Sequence, residues 1–117
     1  MNQTTNPQAK YQLDVYRVSL EVIGELKIVV RDIRSQDRAL AVQLTNAINS
    51  VSLNVGEGHY RAGRDRIQHW RIAAGSANEV RACLEVAQAW GWLDEQRVAP
   101  IIALVNRVLA MLWKMTR

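Results

Sequence analysis

Apolar residues recur three or four positions apart along nearly the whole chain, the period of helices that share a core. From Tyr11 to about Arg34, one stripe runs through Leu13, Tyr16, Leu20, Ile23 and Val30. A second stripe of Val15, Val18, Val22, Leu26, Val29 and Ile33 follows another side of the same segment. A helix in a small bundle needs one apolar face, so two faces predict a helix that is central or shared with another subunit. The second stripe, with Ile102, Leu109 and Trp113 near the other end of the chain, is the expected self-association surface.

Three more helical segments come after it. Ser35-Gln36-Asp37 is a polar connection in which Ser35 or Asp37 can cap the next helix. In that helix Leu40, Leu44, Ala47 or Ile48, Val51 and Val55 point inward, and Gly56 and Gly58 suit a left-handed helix end. An exposed His59-Tyr60-Arg61-Ala62-Gly63 turn leads to a third helix from about Arg64 to Trp90. Its seam is Trp70, Ala73, Ala77, Val80, Leu84 and Ala87, ending at Gly91. Small residues on a seam allow close helix approach, the reason expected for Gly75-Ser76 despite glycine's helix cost of about 1 kcal/mol.

After the turn Trp90–Leu93, Asp94 is a good N-cap, and Val98, Ile101, Val105, Val108, Leu112 and Met115 keep the seam spacing. Pro100 disfavours a helix interior and moves the expected start of this helix to Ala99. Four helices of about 20 residues with short links predict an all-α, antiparallel up-down-up-down four-helix bundle. Residues 1–9 are expected to be a disordered tail and 10–117 the bundle domain.

Composition narrows the chemistry. The 117 residues include 2 Pro and 6 Gly, which favours helices; with no Phe, the four Trp are expected to supply most aromatic packing. The lone Cys83 excludes an internal disulfide framework and suits a reducing cytoplasm. The N-terminus lacks the apolar core of a signal peptide, and no run approaches the roughly 18 apolar residues of a membrane span. A cytoplasmic protein without a membrane partner is therefore expected. The net charge of +4 is concentrated: His59 to Arg71 holds four arginines and one acid, Asp65.

Asn54-Val55-Gly56-Glu57-Gly58, the arginine-rich turn, and Ile72-Ala73-Ala74-Gly75-Ser76 with Glu79 and Leu84 together resemble a known four-helix-bundle family. Its members include proteins encoded in intervening sequences of bacterial 23S ribosomal RNA genes and the accessory variability determinant of diversity-generating retroelements. The similarity covers most of the chain after Tyr11. It implies a homopentamer with a basic surface. For the accessory determinant it also implies nucleic-acid binding and partnership with a reverse transcriptase. For the intervening-sequence members it implies no established activity. Many members carry paired basic residues where Thr45-Asn46 stand here, and often Pro where Ser52 stands.

The candidate nucleic-acid contacts are Arg61, Arg64, Arg66 and Arg71, which match phosphates, with Tyr60 and His69 able to stack on bases. The alternative is that these arginines pair with acids, since cations at a helix N-terminus oppose its dipole. Glu57 faces the opposite problem at a helix end and should have an arginine of the turn as partner, with Asn54 capping backbone groups. Gly75, Ser76 and Glu79 are expected to serve packing: His69 lies two turns from Ser76, about 10 Å along the axis, too far for a triad. His59, His69 and Cys83 lack zinc spacing, and Gly56, Gly58 and Gly63 lack the partners of a phosphate loop. No catalytic or metal site and no cofactor is therefore expected.

The leading expectation is a non-enzymatic homo-oligomer acting as an accessory to nucleic acid or a reverse transcriptase. The alternative is a structural or interaction protein of the intervening-sequence type without nucleic-acid binding, its arginines serving subunit contacts.

Overall fold

The computed structural model of the chain describes residues 7–117, with side-chain surroundings from Gln12 onward. These residues form four helices and, among them, no strand: α1 (Pro7–Gln36), α2 (Arg38–His59), α3 (Gly63–Ala89) and α4 (Glu95–Thr116). Of the tail expected over 1–9, residues 1–6 lie outside the described residues, and residues 7–9 are helical, within α1.

The connections are short because their chemistry is local. Asp37 alone separates α1 from α2; its backbone is extended and its Oδ1 accepts the Leu40 N–H at 3.0 Å. Ser35 stays in α1, donating to the Asp32 carbonyl. Asp94 caps α4 in the same way, accepting the Arg97 N–H at 2.9 Å. That cap starts α4 at Glu95, four residues before the start expected from Pro100, which is carried inside the helix on an exposed side.

The left-handed glycines are Gly63 (φ 60°) and Gly91 (φ 82°), not Gly56 or Gly58. α2 runs through both of the latter to His59. Gly58 is glycine because Trp70 lies over it: a Cβ there would meet Trp70 Nε1 at 2.5 Å. Gly75 is also reassigned. A Cβ at Gly75 would meet nothing within 4 Å, so this glycine faces open space rather than a close helix contact. Ser76 does face a neighbour, donating to Ser50 Oγ at 2.7 Å.

The helices form a ring of neighbours, α1 beside α2, α2 beside α3, α3 beside α4, and α4 back against α1. The α1 side facing the core is Val15, Val18, Val22, Leu26, Val29 and Ile33, all buried. This reverses the assignment of the two α1 stripes. The one left outside contains Leu13, Tyr16 and Leu20, which are 67, 44 and 45% exposed. The expected seams of α3 and α4 are buried as predicted, apart from Gly91 in the turn. In α2, Ala41 takes the inward place expected for Leu40. Of the four tryptophans only Trp70 is fully buried; Trp90 and Trp113 are exposed, and Trp90 stacks on Trp92.

By length and composition α4 could cross a membrane, with a mean hydropathy of 1.5 over its most apolar stretch, unlike the expectation from uninterrupted apolar runs. Its apolar periodicity is the one that the core uses here: Val98, Ile101, Val105, Val108, Leu112 and Met115 are all buried. The buried hydroxyls of Ser19 and Ser52 satisfy each other at 3.0 Å, and Ser19 also donates to the Tyr16 carbonyl.

Candidate nucleic-acid interface

The arginine-rich turn joins α2 to α3 and gathers six of the predicted contact residues at one end of the molecule. It does not present them alike. Arg61 lies between two carboxylates, its Nε 3.1 Å from Glu57 Oε2 and its Nη1 3.0 Å from Asp65 Oδ2. The hydrogen bond to Glu57, then the charge of Asp65, raises the Arg61 pKa above the ordinary guanidinium value. Glu57 thus has the arginine partner expected for it, in a bridge that is exposed where a buried or semi-buried one was expected.

Arg66 reaches backward instead of outward. Its Nε donates to the Gly58 carbonyl at 2.9 Å, its Nη2 to the His59 carbonyl at 3.1 Å, and its guanidinium lies 5.5 Å from the centre of the Trp70 ring. The cation sits on the unsatisfied carbonyls at the negative end of α2, where the helix dipole favours it. That resolves the apparent conflict of placing arginines at the start of α3. Arg71 performs a weaker version of the same task, donating to the Thr116 carbonyl at the end of α4 at 3.5 Å.

His69 is tied into the protein as well. Asn54 Nδ2 donates to the Ser50 carbonyl, which turns Asn54 Oδ1 toward His69 Nδ1 at 2.9 Å, so the ring nitrogen donates there. Asn54 therefore bridges two helices, where backbone capping was expected. Asp65 lies 4.0 Å from the other ring nitrogen. Glu79 accepts from Gln43 Nε2 at 3.2 Å, again between α2 and α3. Only Arg64 and Tyr60 project freely. Arg64 is exposed with no polar partner among the described residues, and Tyr60 is 86% exposed, its ring edge-on to His59.

Sequence reasoning missed Gln12 and Ser50. Gln12 Oε1 faces His59 Nδ1 at 2.8 Å and holds the start of α1 to the end of α2. Ser50, one turn before Asn54, joins the Asn54–His69 pair to Ser76. Ser50's place one turn before Asn54 was visible in the sequence; the Gln12–His59 pairing depends on how α1 lies on α2.

A groove of about 280 Å³ adjoins the turn, lined by Leu13, Tyr16, Val55, Gly56, Tyr60 and the Gln12–His59 pair. It is mainly apolar, and among the described residues no cluster of His, Cys, Asp and Glu could hold a metal ion.

With this geometry in place, comparison with known proteins places the chain. The model of the 23S rRNA-intervening sequence proteins matches residues 11–114. The chain belongs to that family. A solved structure of similar fold is a protein of unknown function from the S23 ribosomal protein family of Bacteroides thetaiotaomicron. It is 19% identical, with a TM-score of 0.81, over 88% of this chain and 98% of that one. No curated protein matches. For this intervening-sequence protein the structural similarity establishes the four-helix fold, and the α2–α3 turn carries its densest cluster of arginines.

Proposed function

We propose that this intervening-sequence family protein is a non-enzymatic, self-assembling helical interaction module of the cytoplasm. The observation that carries the reading is the apolar α1/α2 face, where Leu13, Tyr16, Leu20, Leu53 and Tyr60 are 44–86% exposed. An apolar patch this continuous is normally covered by a partner, and a second copy is always present at equal concentration. The turn arginines other than Arg64 are engaged within the chain, which removes the main support for a phosphate-gripping surface. An up-down-up-down course is supported by the pairings between helices: Gln12 with His59 and Ser19 with Ser52, Ser50 with Ser76 and Asn54 with His69, Arg71 with Thr116 and Arg81 with Asn106. A homopentamer is the assembly proposed from the family resemblance.

Arg64 and Tyr60 favour a second reading, in which an unpartnered cation and an exposed ring contact single-stranded nucleic acid as an accessory to a reverse transcriptase. Light scattering after size exclusion, run beside a mobility-shift titration with RNA and DNA, separates the two. The first reading expects an oligomer at low micromolar concentration and no retardation at ~0.15 M salt. A monomer overturns it. Retardation that Arg64→Gln with Tyr60→Ala abolishes would install the second reading.

A further inference from the structure

The α1/α2 face has two halves of different chemistry. Towards the arginine-rich turn it is apolar, with Leu13, Tyr16 and Leu53 exposed. Towards the opposite end it carries cations. We propose that this second half is a docking groove for an acidic amphipathic helix of another protein, one with two carboxylates seven residues apart. The inference adds to self-assembly and does not depend on it.

The groove, of about 270 Å³, runs between the flanks of α1 and α2. Its floor is apolar, made by Ile23, Val30 and Ile48, and Lys27 and Arg34 stand on its α1 rim. On the α2 rim, Arg38 and Val42 continue the flank of Thr45 and Asn49 at helical spacings of three and four. Lys27, Arg34 and Arg38 are exposed, with no polar partner among the described residues. No acid balances them. From Arg38 to Gly56, α2 contains no Asp or Glu. Asp32 of α1 is held by Arg97 at 2.8 Å, and Glu25, seven residues earlier, shares its flank towards α4.

Shape and charge choose the occupant. A strip between two helices, apolar on its floor and charged on its rim, fits the apolar face of a third helix. Lys27 and Arg34 are two helical turns apart, about 10.5 Å, the spacing of residues i and i+7 on such a helix. The matching acids are not on this chain. Its carboxylates without a polar partner among the described residues are Glu25, Glu85 and Glu95, on α1, α3 and α4 respectively. No single helix therefore offers a free pair, and the occupant is not a second copy. Nucleic acid fits less well, because three cations spread among aliphatic side chains offer no ring on which a base could stack.

The test uses a synthetic probe. It is a fluorescein-labelled helical peptide of about 20 residues, built on alanine and leucine, with glutamates at i and i+7. Fluorescence anisotropy should show saturable binding of one peptide per chain. Replacing both glutamates with glutamine should weaken binding about tenfold at low salt, as should Lys27→Gln with Arg34→Gln in the protein. Lys27→Glu with Arg34→Glu should reject the acidic peptide and accept one with lysines in place of the glutamates. Both positions are exposed, so circular dichroism and light scattering of these variants should match the parent. Equal binding of the glutamine peptide, or no binding of the acidic one, overturns the inference. A changed assembly state in Lys27→Glu also overturns it, by making the groove a subunit contact. Displacement of the peptide by an oligouridine at ~0.15 M salt overturns it in favour of nucleic acid. A monomeric parent that binds the peptide ends the self-assembly reading and upholds the groove.

Discussion

Two glycines show how differently the same residue can act. Gly58 is in contact with Trp70, whose indole nitrogen also donates to the Val55 carbonyl at 3.4 Å in the buried space between α2 and α3. Gly58→Ala should cost about 1–3 kcal/mol, because the added methyl forces Trp70 off its site. Gly75→Ala should instead stabilise by up to about 1 kcal/mol, since the new methyl meets open space and alanine loses less entropy on entering a helix. Paired urea titrations of the two variants read both signs. A destabilising Gly75→Ala would reinstate the close packing that the sequence suggested. Composition alone makes the two positions equivalent. What separates them is a neighbour from the next helix in one case and none in the other. The same holds for the turn arginines: residue type marks the cluster, but only the fold shows that Arg66 closes the end of α2 while Arg64 stays free.

At the scale of whole helices, most of the architecture is legible in the sequence because its signals are local. Asp37 and Asp94 each accept an N–H three residues ahead, and buried positions in α3 and α4 keep the spacing read from the chain. Two features escape for physical reasons. The two stripes of α1 are equally apolar, so periodicity detects both and ranks neither; only the placement of α4 against α1 decides which is inside. The start of α4 escapes because the cap at Asp94 outweighs Pro100. One missing backbone bond and a ring on an exposed side are tolerated by a helix anchored in the core. The tolerance still has a cost. Pro100→Ala should raise stability by about 1–2 kcal/mol, the interior proline penalty reduced by the greater freedom that alanine gives the unfolded chain. Thermal melts at matched protein concentration check it, and an unchanged or lower midpoint would show that the proline is unstrained.

Across the whole molecule, 52 Å long and about 20 Å thick, the polar ties are unevenly spread. The α2–α3 pair holds the Asn54–His69, Ser50–Ser76 and Gln43–Glu79 bonds together with the arginine on the end of α2, whereas α1 and α4 are bridged by Asp32 and Arg97 at 2.8 Å. The first pair is joined by three residues, Tyr60 to Ala62; the second is separated by the whole length of α2 and α3. That asymmetry sets an order of events in time. Closing a short loop costs little entropy, so the α2–α3 hairpin should form early, and the contact of α4 with α1 should be the last made and the first lost. A Val80→Ala change in the hairpin should therefore slow refolding, and a Val105→Ala change in α4 of comparable cost, about 2 kcal/mol, should chiefly hasten unfolding. Stopped-flow kinetics on the two variants would show the opposite limbs of the chevron moving. The ring of helices would then have a weak link, the place where an α4 could detach and re-pair with the α1 of another copy.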